Sequence, residues 1–520
     1  MTRTLRKSIY PSAAGHGLYW AARLRLPGWD AALQDIEGTQ TRELRGLIAH
    51  AKRTEFGRAH RFAEIRSYEE WVEAVPLGSY DSFWPGIERM MQGEENVLVP
   101  EFVTYFGNSS GSSNKGRSKF LPITERQVRL QQQMSADVLF RYLVAANERD
   151  MTSGFVLGLL PPTTMKAQGP VKITSNPGLM FAKLPAAARP LYIPRGEIRN
   201  EPDYDTKLGL IADHYLDHDV RAVSGTTCWF SLMFDKLLGA ARRKGRKAET
   251  VRDIWPNLRL LLGGGVSAKP YLSVIEDRLG GSDFTLVDTY NATEGGIYAC
   301  TDHSGRDGLL MIVDRGVFFE FVPLESRTDP EPRRIPLWSV EPGVPYSIVV
   351  TTPSGLYAYE LGDIVRFTDV DPPRIEFMGR LAGCLSTTQE LTTHVEIEQA
   401  VRHALDRFDA KSVDFGASAD VGVNGTSKSR YVLFLELQGE ATPDPEAFAE
   451  AFDEGLRSAN RVYREHRSGD CAILKPEVSF LPPGAVQRFM QVSGRTSVQT
   501  KFPRILDEGA RDTLRALVPS

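Results

Sequence analysis

Cysteine is scarce in this chain. Four stand among 520 residues, Cys228, Cys300, Cys384 and Cys471, and no C-x-x-C pair occurs. That spacing excludes zinc ribbons and thioredoxin chemistry, and scattered thiols make no disulfide framework, so a reducing cytoplasm is expected. Positive charge is not in excess either. Lys and Arg number 62 against 66 Asp and Glu, a net charge of −4, which argues against a nucleic-acid partner. No apolar run reaches the roughly 18 residues that span a bilayer. The N-terminal MTRTLRKSIYPSAAGHGLYWAARLRLPGW carries Arg and Lys but lacks the apolar core of a signal peptide. The nine histidines form no H-E-x-x-H motif. His214 and His218 are spaced as neighbours on one helix without a third ligand nearby, and read as a solvated face.

What is present is ordinary globular composition, 42% hydrophobic and 25% charged, in a chain too long for one core. Helical patterning fills roughly the first hundred residues, and strand-like runs then alternate with helical ones, an α/β pattern. Leu258–Leu262, closed by Gly263-Gly264-Gly265, reads as a buried strand, as does the run from Phe284 to Tyr290. Runs at 346–352 and 356–367 flank Pro353-Ser354-Gly355 as a hairpin. A last strand at 374–378 and a Gly-rich link to Leu385 mark a boundary. Beyond it, Thr393 and Glu396 form a capping box, a helix is expected over 445–466, and strands over 430–437 and 477–481.

The segment Tyr105–Lys119 carries the densest chemistry. Its glycines and hydroxyls free backbone N–H groups to wrap an anion, and Lys115, Arg117 and Lys119 add charge. Three site chemistries fit, beside the plain reading of a polar surface loop. Gly107-Asn-Ser-Ser-Gly111 matches the hydrolase elbow, which must run straight into a helix. The stretch 111–118 nearly matches a Walker A loop, with Arg117 where its Lys belongs. The third is the phosphate loop of adenylate-forming enzymes.

For the third reading the residues extend far beyond the loop. Ser109-Ser-Gly-Ser-Ser with Lys119-Phe-Leu-Pro-Ile-Thr124, Tyr290-Asn-Ala-Thr-Glu294-Gly, Tyr359-Glu-Leu-Gly-Asp363 and Gln499-Thr-Lys501-Phe-Pro-Arg504 stand in order. Together they resemble the Gretchen Hagen family of acyl acid amido synthetases, over roughly residues 40 to 505. The resemblance implies an adenylate-forming, acyl-CoA synthetase/luciferase-like α/β fold. Residues 1–380 would be a large adenylation domain and 385–520 a small, mobile α+β lid. It implies a cytoplasmic ATP-dependent ligase that activates a small-molecule carboxylic acid as an acyl-adenylate and passes the acyl group to an amine. No nucleic acid or membrane span is implied, and a monomer is expected.

Residue by residue, the resemblance implies that Ser109, Ser110, Gly111, Ser112, Ser113 and Lys119 meet phosphates. Gly264 and Gly265 would let the backbone pass adenine, with Tyr290 beside it and Thr293 adjoining. Glu294 would hold Mg²⁺. Asp363 and Arg380 would meet the ribose, although Asp363 after Gly362 also reads as an exposed turn carboxylate. Thr227, Trp229 and Phe230 fall where the family builds its acyl pocket, and the two aromatics read as core packing as well. The lysine expected before the lid's first helix is Leu391, so Lys501 is left to neutralise the reacting carboxylate and phosphate. The alternatives are an acyl-CoA ligase and a nucleotide-binding protein that no longer catalyses.

Overall fold

The first hundred residues fold into α1 (Ser12–Gln34), α2 (Ile36–Ala51), α3 (Glu55–Ala59), α4 (Tyr68–Ala74) and α5 (Tyr80–Met91) in a computed structural model. The structure describes residues 4–109, 119–202, 204–265, 268, 272–327, 329, 331–385, 387, 390, 392–421, 423, 428–439, 442–460, 463–464, 467–470, 473–493 and 501–518. Among these, no helix is long and apolar enough to cross a membrane. The helix α1 buries Tyr19, Ala22, Trp29 and Leu33, a 3.6-residue stripe, against α6 (Glu125–Ala145).

Between α5 and α6 the strands β1 (Tyr105–Ser109) and β2 (Lys119–Ile123) form an antiparallel pair, extended on the other side of β1 by β5 (Val171–Thr174) and then β4 (Lys166–Gln168). A five-stranded sheet follows, in the order β6 (Tyr192–Ile193), β3 (Phe155–Leu159), β7 (Val220–Gly225), β8 (Leu260–Leu262) and β9 (Thr285–Val287). Its four strand pairings are all parallel. Such a sheet is covered on both faces, which accounts for the apolar run at Leu260–Leu262. Ligands of parallel sheets bind beyond the carboxyl ends of the strands. Here those ends are Ile193, Leu159, Gly225, Leu262 and Val287.

The run read as one strand from Phe284 to Tyr290 is broken at Asp288. Its first half is β9, and its second begins β10 (Thr289–Ala292) in another sheet. The break is built by pairing: Asp288 N donates to Thr301 Oγ1 at 3.0 Å, and Thr301 N returns to Asp288 O at 2.9 Å. The second sheet runs β10, β11 (Gly296–Cys300), β12 (Leu309–Met311), β17 (Pro373–Arg380), β16 (Tyr359–Val370), β15 (Pro345–Thr351), β13 (Phe318–Pro323) and β14 (Ile335–Pro336). The hairpin around Pro353 is β15–β16, with its second strand starting at Tyr359 and not at Leu356.

Helix α4 is fastened to this sheet by a buried carboxylate. Glu320 on β13 is fully buried and accepts from Tyr68 Oη and Trp71 Nε1, both at 3.1 Å. Arg334 Nε stands 3.5 Å away and spends its Nη2 on the carbonyls of Val72 and Val75. Glu320→Gln removes the charge facing Arg334 and turns one acceptor into a donor. Urea unfolding is expected to show a loss of about 2 kcal/mol; an unchanged midpoint would mean the cluster adds nothing.

Residue contacts divide the chain into two compact units, Met1–Leu361 with Arg366–Glu376, and Gly362–Val365 with Phe377–Ser520. The second unit begins with the short pair β18 (Cys384–Leu385) and β19 (Thr392–Thr393). Its sheet has the order β20 (Ser412–Val421), β21 (Ser429–Leu437), β22 (Ile473–Leu481). Helices α12 (His394–Arg407) and α13 (Pro445–Ala459) pack Ile397, Val401, Phe448 and Phe452 onto Tyr431, Leu433 and Leu435. The Thr393–Glu396 capping box opens α12 as expected. The close α12–α13 crossing needs Gly455, where a Cβ would lie 2.6 Å from Ala400 Cα. Helix α13 stops at Ala459, short of His466, because Asn460 leaves the helix and uses its side chain. Its Nδ2 donates to Glu390 O at 2.9 Å, and its Oδ1 accepts from Tyr463 N at 2.9 Å.

Candidate functional site

In the first unit, β1 and β2 pair in register from Tyr105↔Ile123 to Ser109↔Lys119. Ser109 and Lys119 therefore stand opposite each other at the base of the Gly-Ser loop. Ser110, Gly111, Ser112 and Ser113 lie outside the described residues, as does Arg117. Both the hydrolase elbow and the Walker A loop require a strand that leads into a helix. The next described element after β1 is its antiparallel partner β2, starting at Lys119, and not a helix, which argues against both readings. Accordingly, a fluorophosphonate probe is expected to leave Ser109 unlabelled and ester hydrolysis without ATP to stay at background; labelling of this serine would restore the elbow. Lys119 places its Nζ 5.4 Å from the Tyr80 ring centroid, a cation–π contact at the loop's foot.

The second signature lies directly behind this strand. A Cβ on Gly107 would fall 2.7 Å from Thr293 Cγ2, so glycine is what allows the two motifs to touch. Thr293 and Glu294 form the turn between β10 and β11, and Glu294 is half-buried. Buried Gln127 holds the turn in place. Its Nε2 donates to Thr293 O at 2.9 Å, and its Oε1 accepts from Ser354 Oγ. Gln127 sits in the first turn of α6, where its own N–H donates to the capping Thr124 Oγ1 at 3.1 Å. Nothing in the sequence pattern marks Gln127, because an isolated Gln in a helix reads as solvated. Tyr290 is buried in β10 with its ring edge-on to Tyr298 at 5.7 Å.

The glycine loop at the end of β8 is tied to β10. Thr289 Oγ1 donates to Gly263 O at 2.7 Å, and Gly263 N donates to Val287 O at 2.8 Å. At Gly264 a Cβ would meet Thr289 Oγ1 at 2.7 Å and Asn291 Nδ2 at 2.8 Å. The loop thus presents backbone at the carboxyl edge of the parallel sheet. Asp288 was not legible as a site residue. Its carboxyl accepts N–H from Ala268 and from Thr289 and so links the loop to the strand switch. Burial pushes this carboxyl up to about 6, against the pull of those N–H groups.

That shift carries a sign. A carboxyl raised in the folded state stabilises the fold below its unfolded value of 3.8, and this stabilisation is lost as pH rises through about 6. Asp288→Asn removes the titration. Between pH 4 and pH 7 the parent should lose about 1–3 kcal/mol more than the variant, read from urea midpoints at the two pH values. Parallel curves would show that Asp288 does not titrate in this window.

The residues expected at an acyl pocket follow β7. Thr227 and Phe230 are fully buried. Thr227 lies against the glycine loop, where a Cβ on Gly263 would be 2.4 Å from its Oγ1. Phe230 belongs to the core, as the packing reading has it, and lines no open surface. Trp229 alone of the three is partly exposed. His214 and His218 do not share a helix. The helix α9 (Tyr204–Tyr215) ends between them, and their rings lie 6.2 Å apart. Among the described residues no three His, Cys, Asp or Glu side chains gather to hold a metal. A magnesium ion carried on phosphates needs only one or two carboxylates, so Glu294 in its half-buried turn fits that role.

In the second unit, Asp363 is not the exposed turn carboxylate that Gly362 suggests. It lies inside β16, is 4% exposed, and pairs with Arg380 Nε at 2.9 Å. The two residues expected at the ribose are therefore partners. Beneath them His394 packs on Phe377 with ring centroids 5.6 Å apart, and burial holds its pKa below the usual histidine value. Gly379, with φ of 141°, lets β17 pass the start of α12, where a Cβ would lie 2.9 Å from Thr393 Cβ. Lys501 is exposed and heads an anchored segment. Phe502 packs on Phe489 at 5.4 Å, Arg504 Nε donates to Glu398 at 3.0 Å, and Ala417 N donates to Arg504 O at 2.8 Å. Leu391 lies outside the described residues.

Comparison with known proteins gives one answer throughout. Residues 28–206 match the GH3 family N-terminal domain, 310–380 the GH3 family central domain and 395–510 the GH3 family C-terminal domain. A probable indole-3-acetic acid-amido synthetase GH3.2 from Oryza sativa subsp. japonica is 23% identical over 91% of this chain and 89% of its own. GH3.4 from the same source is 34% identical over 214 residues, 37% of this chain and 33% of that one. Among solved structures, AtGH3.15 acyl acid amido synthetase in complex with 2,4-DB has a TM-score of 0.77 at 18% identity, covering 98% of this chain and 97% of its own. A 2-hydroxyisobutyryl-CoA ligase in the postadenylation state has a TM-score of 0.60 at 15% identity, covering 92% and 90%. These structures establish the adenylate-forming fold.

Proposed function

The chain belongs to the GH3 family, and from that premise we propose that it is an ATP-dependent acid–amino acid ligase. A carboxylate oxygen of the acid attacks the α-phosphorus of ATP and the bond to pyrophosphate breaks. The nitrogen of an amino acid then attacks the acyl carbonyl, AMP leaves with the bonding pair, and the amine gives up a proton. The observation that carries this reading is the match of three family domains in order along one chain. The contact of Gly107 with Thr293, which brings the first two signatures together, supports it.

The roles follow from what each group can do. Backbone N–H and hydroxyl groups of the 109–113 segment, with Lys119, bind phosphate oxygens. Glu294 would hold Mg²⁺, which would supply charge neutralisation on the phosphates. The backbone at Gly264 and Gly265 passes the adenine, with the edge of Tyr290 nearby and Thr293 fixing the turn. In the second unit the Asp363 carboxylate accepts from ribose hydroxyls while Arg380 holds it in place. Lys501 supplies the cation where carboxylate and phosphate meet. Of the residues expected at the acyl group, Trp229 is the one with surface to offer. Scattered cysteines that make no disulfide framework support a cytoplasmic setting for the reaction.

A fold likeness to a CoA ligase keeps one rival, in which a thiol accepts the acyl group. Incubation with ATP and a panel of carboxylic acids, with either amino acids or CoA, separates them. Amide and AMP formed only with an amino acid support the proposal. Thioester formed with CoA, and no amide, would replace it.

A further inference from the structure

The helix α1 carries two apolar stripes. One is buried against α6, as described. The other, Ala13, Trp20, Leu24, Pro27 and Ala31, recurs at helical spacing on the opposite side and is exposed along its length. Its two large side chains are well out in solvent, Trp20 at 54% and Leu24 at 82% of their full surface, and Ile9 just before the helix stands at 73%. A helix face turned to water normally carries charge of both signs. This stripe carries no acid. Its cation, Arg23, lies 5.6 Å over the Trp20 ring. The one acid in the first thirty residues, Asp30, is taken up by Arg141 at 2.6 Å. Against it stand Arg3, Arg6, Lys7 and Arg23, while Arg25 is taken up by buried Asp137 at 2.7 Å, so this end is basic on a chain whose net charge is negative.

We propose that the N-terminal segment and α1 form a docking surface for an anionic lipid bilayer. Three large apolar side chains on a convex helix fall short of the roughly 20–30 residues a side that a specific protein interface uses. They suit shallow insertion, where a Trp ring sits at headgroup level and an Arg beside it reaches lipid phosphates. Charge complementarity selects the surface: Arg23 sits beside the exposed apolar side chains, the first thirty residues are net basic, and the remainder of the chain is acidic and would be repelled. Binding of this kind is weak, reversible and salt-sensitive.

The test is co-sedimentation of the full chain with two kinds of vesicle, phosphatidylcholine alone and phosphatidylcholine with about a third phosphatidylglycerol. The parent is expected to sediment with the anionic vesicles and not with the neutral ones, and to be released by salt. Trp20→Ser with Leu24→Ser, both exposed and so tolerated by the fold, should lower the bound fraction about tenfold. Arg23→Glu, which keeps the apolar side chains, should also lower it, and thermal unfolding of both variants should match the parent. The proposal is overturned if the parent ignores anionic vesicles, or if binding survives both variants. It is also overturned if sedimentation velocity shows a parent dimer that Trp20→Ser with Leu24→Ser dissolves in the absence of lipid, since the stripe would then meet a second copy of this chain.

Discussion

Replacing Asp363 by Ala is expected to lower adenylate formation at least about a hundredfold, because each charge-assisted hydrogen bond to a ribose hydroxyl contributes about 1.5–3 kcal/mol. The same change removes a buried carboxylate paired with Arg380. The loss therefore has two parts, and they can be separated. Arg380 is 59% exposed at its side chain, so once unpaired it can turn to water, and the fold should lose only about 1 kcal/mol. Equilibrium ATP binding and urea unfolding on the same variant distinguish the parts. A variant that is stable yet binds ATP like the parent would remove Asp363 from the ribose. Asp363→Asn, which keeps the shape and one acceptor, should recover part of the binding.

The second large effect concerns Lys501. Its ammonium is needed where two negative groups are forced together, a requirement met in the transition state and not in the ATP complex. Lys501→Ala is expected to slow single-turnover adenylation about a hundred- to thousandfold, the usual cost of one such electrostatic contact, with ATP affinity changed less than about threefold. Lys501 is exposed on a segment that Phe502 and Arg504 anchor, so the variant should fold normally. A rate within about threefold of the parent would make Lys501 a bystander. The charge would then have to come from Lys119 or another cation, and the case for a protein that no longer adenylates would grow.

The sequence was legible where one physical rule governs a segment. Apolar runs ending in glycine gave β8, and the Thr393–Glu396 box gave the start of α12, because periodicity and capping are local. It misled where tertiary contacts decide. Phe284 to Tyr290 reads as one strand, yet the pairing of Asp288 with Thr301 breaks it and sends its halves to different sheets. Asp363 after a glycine reads as a turn, yet β16 continues through it and buries it. Helix α13 ends early because Asn460 finds partners far away in sequence.

The site was legible in the same uneven way. The motif residues stand out because glycine and hydroxyl runs are unusual. Supporting residues do not, since their meaning comes from contacts made across hundreds of positions. Gln127 acquires its role from Thr293 and Ser354. Lys207 is another such residue. It is buried on α9, its Nζ donates to Leu160 O at 2.8 Å and Arg199 O at 2.7 Å, and burial depresses it to about 8. It fastens the loop that follows β3, at the same carboxyl edge of the sheet, while its sequence context is that of any helical lysine.

The reaction proposed here makes one commitment that an acyl-phosphate route does not share: an oxygen of the acid becomes bonded to the α-phosphorus of ATP. The most direct measurement follows that oxygen. With a carboxylic acid labelled by heavy oxygen, ATP and an amino acid, mass spectrometry of the products should find one labelled oxygen in AMP and one in the amide, with none in pyrophosphate. Label in inorganic phosphate with release of ADP would indicate an acyl-phosphate route. AMP formed without label would mean that the acid never meets the nucleotide, and either result would contradict an acyl-adenylate ligase.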